Sequence, residues 1–140
     1  MLEFLFEYRA LIQYGVILLL AVACWAWGAG PERVCGTILL AMPFAEVGYH
    51  FVFGPETRLS HTDVGHTFMQ MVVTIPFLAV ALTANRKYPL WLVSFQLIAV
   101  LSHLVRNLAS EAGGVAYFIM TVAPSYAMIA TLTIGLAAHR

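Results

Sequence analysis

The sequence predicts an all-α integral membrane protein: a bundle of five transmembrane helices joined by short loops. Three observations carry that expectation. The 140 residues are 61% hydrophobic and only 10% charged, against about 25% charged in an ordinary soluble domain. The mean hydropathy is +0.85, more apolar surface than so few charges could cover in water. The apolar residues also fall into segments near the roughly 20 residues that an α-helix needs to cross a bilayer. Only one domain fits this length.

The spans follow in order, from breaker to breaker. The first runs over about 10–29 and ends near Trp25 and Trp27, residues of the interfacial type. Ala29-Gly30-Pro31-Glu32-Arg33 reads as a tight turn. The second span covers about 34–53. The longest and most polar connection, Gly54 to Asp63, follows it, and Asp63 suits the cap of the third span, about 64–84. Asn85-Arg86-Lys87-Tyr88 makes the next turn, and Pro89 suits the first turn of the fourth span, about 89–109. Ser110 to Gly114 separates it from the fifth, about 115–138, and Ser110 or Glu111 serves its entry. Pro43, Pro76 and Pro124 lie inside three different spans, where each removes a backbone donor.

Ala21-Val22-Ala23 before Cys24 imitates a processing site. The stretch ahead of the apolar run holds Glu3 and Glu7 where a signal peptide carries a basic cluster. Cys24 and Cys35 flank one turn and allow a disulfide. With no C-x-x-C pair, two apolar thiols are the expectation. The net charge is zero and no basic run exists, so nucleic acid is not an expected partner.

Five spans place the chain ends on opposite sides. Arg33, Arg86, Lys87 and Arg140 fall on the side of the C-terminus, against Arg9 and Arg58 in the opposite loops and Arg106 inside a helix end. The positive-inside rule then expects a bacterial inner-membrane protein with its N-terminus outside and its C-terminus in the cytoplasm.

Polar residues inside spans are expensive and face the bundle interior or a watery cavity. Helical spacing of three or four puts Glu46 and His50 on one face of the second span. It does the same for His66, Gln70 and Thr74 on the third, for His103, Arg106, Asn107 and Ser110 on the fourth, and for Tyr117, Thr121 and Ser125 on the fifth. The first span carries only Gln13 well inside it and is expected at the bundle edge. From the helical rise, His50 and His66 lie roughly 3–5 Å below their helix ends, and Glu46, Gln70 and His103 roughly 9–11 Å. All belong to one leaflet. The other half of the bundle reads as nearly featureless and apolar.

The expected site is therefore a polar pocket open to one side. Its ligand-binding candidates are Glu46, Gln70, His103, Arg106, Asn107 and Tyr117. Three chemistries suit it. His50, His66 and His103 with a carboxylate are candidate ligands of a metal ion. Two histidines at one depth, such as His50 and His66, suit a haem b. An amphipathic small molecule such as a quinone or lipid would use Arg106 for an anion and His103 or Tyr117 as donors. No hydrolase motif is present. Two other readings stand beside these. Glu46, His103 and Arg106 pair simply to hold helices in register, or the chain is a non-catalytic accessory or scaffolding subunit. For the latter the bilayer, other membrane subunits or a second copy are the partners, and Thr131, Gly135 and Ala138 allow close helix contact.

Overall fold

A computed structural model describes residues 2–53, 64–108 and 114–138, all but a few of them helical. The helices are α1 (Leu2–Trp27), α2 (Gly30–Phe53), α3 (Val64–Thr83), α4 (Tyr88–Leu108) and α5 (Gly114–Ala138). Four of them contain stretches long and apolar enough to cross a membrane: Glu7–Trp27, Gly30–Phe53, Gly65–Thr83 and Tyr88–Val105. The corresponding stretch of α5, Val122–Ala138, is shorter. Asp63, Ser110 and Glu111, expected as caps, and the 54–63 loop lie outside the described residues.

One boundary moves in an instructive way. The sequence reads 29–33 as a turn, yet α2 begins at Gly30. Proline is tolerated in a first helical turn because its missing N–H has no helical partner there. Ala29 acts as the N-cap: its carbonyl accepts the first helical bond from the Arg33 amide at 3.1 Å. In return its amide donates to Glu32 Oε2 at 3.0 Å, half of a capping box. The turn shrinks to Gly28 and Ala29. A Cβ on Gly28 would lie 2.7 Å from the Glu32 Cβ, so only glycine passes there.

Each helix packs against the next, α1 also touches α5, and α2 meets α5 across the middle. The α1 helix packs mainly on α2 and only lightly on α5, in keeping with the expected place at the bundle edge. Gln13 Nε2 donates to Ser125 Oγ at 2.7 Å across the α1–α5 seam. The contacts of α4 with α3 and α5 are the most extensive. One of them repairs a defect that the sequence itself creates. Pro124 has no N–H for the Met120 carbonyl, four residues earlier, and the single hydroxyl proton of Ser102 on α4 is shared between that carbonyl at 3.1 Å and the nearer Ile98 carbonyl of its own helix at 2.7 Å. A serine on a neighbouring helix satisfying a carbonyl freed by proline is how such residues persist in apolar surroundings.

The core is confined to one half of the bundle. Ile17, Leu20, Leu39, Phe77, Val80, Leu92, Met128 and Leu132 are buried together. They lie toward the side where α1, α3 and α5 end, called here the C-side. The opposite side is the N-side. The outer surface is apolar along the helices: Leu19, Phe51, Leu82 and Ile134 are each more than two-thirds exposed. Such a surface is costly in water and ordinary in lipid.

Candidate functional site

The polar stripes of α2, α3 and α4 meet in the N-side half, in two layers. The outer layer is aromatic. The His66 and His103 ring centroids are 4.9 Å apart, and those of His50 and His66 are 6.2 Å apart with planes 29° from parallel. Tyr49 flanks them, 5.6 Å from His50 and 6.2 Å from His66. Gly65 permits this: a Cβ there would sit 2.9 Å from a Tyr49 ring carbon, so the tyrosine lies on the backbone of α3. The three histidines thus converge as their spacing predicts. Among the described residues no three His, Cys, Asp or Glu side chains are placed to hold a metal ion. The direct contact of His66 with His103 leaves no gap for a macrocycle between those two rings.

The inner layer is a small cleft between α2 and α3, lined by Met42, Ala45, Glu46, Met69, Gln70 and Val73, with a cavity volume of about 40 Å³. Pockets for drug-sized ligands hold about 300–1,000 Å³, so this one admits a small polar group and not a whole ring. Its depth follows from the helical rise of about 1.5 Å per residue: Glu46 lies roughly 10 Å and Met42 roughly 16 Å below the end of α2. Glu46 has no hydrogen bond and no ion pair among the described residues. The expected pairing of Glu46 with His103 is absent, because the His103 ring packs on His66 instead. Arg106 and Asn107 occupy the last turns of α4 and Tyr117 the first turn of α5. Their side chains, like that of Thr121, lie outside the described residues. Ser125, expected in the same stripe, faces α1.

Gln70 is held from behind. Gln96 of α4, fully buried, donates from Nε2 to Gln70 Oε1 at 2.8 Å and more weakly to the Gln70 carbonyl at 3.3 Å. The backbone carbonyl can only accept, so the nearby Gln96 atom is the nitrogen. The Gln70 atom facing it is therefore the oxygen. This leaves the Gln70 amide nitrogen without a partner among the described residues. Gln96 Oε1 is also unpartnered and buried, a penalty on the order of 1–3 kcal/mol. Sequence spacing did not single out Gln96. The signal was present: an amide two turns before His103, on the same face of α4, where leucine would be the ordinary occupant.

The C-side half is not featureless. Glu32, only 1% exposed, accepts from Arg86 Nη1 at 2.5 Å and from the Tyr88 hydroxyl at 3.0 Å on the same oxygen. With Ala29 on its other oxygen, the carboxylate ties the α1–α2 turn to the α3–α4 turn. The Tyr88 ring lies on Gly135 of α5, where a Cβ would come within 2.6 Å of it. Cys24 and Cys35 are free and buried beside this node, in agreement with apolar thiols. In sequence, Glu32 and Arg86 look like two unrelated turn residues, since they are joined only by tertiary structure. At the rim, the Arg33 guanidinium stands 5.7 Å from the Trp25 ring centroid, and the Trp25 indole donates to Thr37 Oγ1 at 3.0 Å.

The chain matches no protein-family model, and no curated protein and no solved structure is significantly similar to it, so its function is read from its own residues.

Proposed function

We propose that this chain is a five-span membrane protein that binds a small neutral amphipathic molecule, of the quinone or phenol class, drawn from the bilayer, with only its polar group entering the α2–α3 cleft. One observation carries the reading. Glu46 and Gln70 both line the cleft, the Glu46 carboxyl and the Gln70 amide nitrogen have no partner among the described residues, and both lie far below the helix ends. A polar group deep in a bilayer is costly without a partner, and a ligand head supplies one.

Depth and lining favour this class over a phospholipid head. Phosphates stay near the membrane surface, roughly 10 Å above Glu46 by helical rise. No cation is among the lining residues. Met42 and Met69 offer thioether contacts that suit an aromatic ring lying against the mouth of the cleft. His50, His66 and His103 lie between the cleft and the N-side surface.

The test is recovery of the bound molecule. The protein would be extracted into nanodiscs, and its retained small molecules identified by native mass spectrometry and chromatography. A near-stoichiometric aromatic amphiphile is expected, lost in Glu46→Gln/Gln70→Leu while the helical content stays unchanged. Failure to retain any such molecule, with no thermal shift on adding a quinone analogue, would overturn the proposal.

The orientation belongs to the same proposal. Arg33 and Lys87 on the C-side, with Trp25 at that rim, support a cytoplasmic C-side in a bacterial inner membrane. A reporter fused after Arg140 is expected to be active only in the cytoplasm, and periplasmic activity would reverse the assignment.

A further inference from the structure

At the opposite end of the bundle, and independently of the cleft, we infer that the α1–α2 corner binds the head group of an anionic phospholipid, with Arg33 taking its phosphate. The site is a closed bracket of three side chains. The Trp25 indole donates to Thr37 Oγ1 at 3.0 Å. The Thr37 hydroxyl donates to the Arg33 carbonyl at 2.8 Å. The Arg33 guanidinium stands 5.7 Å from the Trp25 ring centroid, within reach of a cation–π contact. The bracket sits where both helices meet the membrane surface. By helical rise, Arg33 lies roughly 5 Å from the start of α2 and Trp25 roughly 3 Å from the end of α1. That is the level of head groups and interfacial tryptophans. Trp25 is 57% exposed and Arg33 is exposed, so the bracket faces outward.

Charge and hydrogen bonding select the occupant. Among the described residues no acid and no acceptor meets the Arg33 guanidinium. Its donors form a planar fork that matches the oxygens of a phosphate. Its position is otherwise unfavourable: the fourth residue of α2 lies near the positive end of the helix dipole, which favours anions. The neighbouring Glu32 cannot answer it, being committed to Arg86, Tyr88 and the Ala29 amide. The same facts separate anionic from zwitterionic lipids. A choline or ethanolamine ammonium is held by an aromatic face or a carboxylate. Arg33 already occupies a face of Trp25, and Glu32 is buried at 1% exposure. A phosphodiester with no cation of its own, as in phosphatidylglycerol, meets only favourable partners.

The experiment titrates the full chain in detergent micelles with dioleoyl phosphatidylglycerol or dioleoyl phosphatidylcholine. Affinity for the first lipid is read by native mass spectrometry. Salt is held at about 0.5 M, where charges more than roughly 5 Å apart are largely screened. Phosphatidylglycerol is expected to bind about fivefold more tightly, the contribution of one arginine at a membrane surface. Arg33→Gln should bring the two lipids within about 1.5-fold of each other. Trp25→Leu keeps the charge but removes its brace, and should lower the ratio to about twofold. Lys87→Gln, which removes an exposed cation on the same side, should leave the ratio above about fourfold. Inorganic phosphate in large excess should not displace the lipid. Equal affinity of both lipids for the unaltered chain overturns the site. So does an equal fall in Arg33→Gln and Lys87→Gln, which marks diffuse charge. An unchanged ratio in Trp25→Leu overturns the bracket, and displacement by phosphate overturns the lipid as its occupant.

Discussion

Replacing Glu32 by glutamine tests whether the C-side node holds the bundle together. The side chain keeps its size and loses its charge. If the amide oxygen takes the place of Oε1, it still accepts from Arg86 and Tyr88, but through neutral-acceptor bonds weaker by about 1 kcal/mol each. The amide nitrogen then faces the Ala29 N–H, donor against donor, and the half capping box is lost, at about 1 kcal/mol or more. The expected destabilisation is roughly 2–4 kcal/mol. Arg86 retains 23% side-chain exposure, so a stranded guanidinium can reach water, which keeps the figure below the 3–5 kcal/mol of a fully buried broken pair. Arg86→Met leaves the carboxylate with Tyr88 and Ala29 and is expected to destabilise by about 2–3 kcal/mol. The measurement is a double-mutant cycle: reversible unfolding in mixed micelles, followed by tryptophan fluorescence, for the parent, both single variants and the pair. A coupling of about 1–3 kcal/mol is expected. A coupling under about 0.5 kcal/mol is the magnitude of a solvated surface pair. It would refute the claim that this ion pair ties the two turns together.

Two further expectations concern packing and helix repair. Ser102→Ala removes the hydroxyl whose proton is shared between the Ile98 and Met120 carbonyls and should destabilise by about 0.5–1.5 kcal/mol. In a Pro124→Ala background the restored backbone N–H serves that carbonyl, so the same change should shrink to under about 0.5 kcal/mol; equal losses in both backgrounds would disprove the repair. Gly135→Ala places a Cβ 2.6 Å from the Tyr88 ring and should lower unfolding stability by about 1–3 kcal/mol by overpacking, measured in the same micelles. Tyr88→Leu in the Gly135→Ala chain should recover part of that loss, and no recovery would mean the alanine strains some other contact.

The number of helices, their approximate limits and the approach of the three histidines to one another were legible in the chain itself. Apolar length and breaker residues mark a membrane helix, because a backbone in lipid must bond within its own segment. Spacing of three or four assigns a face from rise and rotation alone, which is why His50, His66 and His103 meet as their positions predict. What those positions could not supply is which neighbour each face turns toward. Ser125 shares a stripe with Tyr117 and Thr121 but donates to and accepts from groups at the α1–α5 seam and its own helix. Glu32 and Arg86 are separated by 54 residues and each sits beside a turn, where charge is unremarkable. Only the packing of α2 against the α3–α4 turn converts them into a buried pair. Gln96 shows the limit most clearly. An amide in an apolar helix signals a polar role, but its direction is a three-dimensional matter. It is decided by the Gln70 carbonyl and side chain on the facing helix, because hydrogen bonds between helices depend on register and separation, and one-dimensional spacing contains neither.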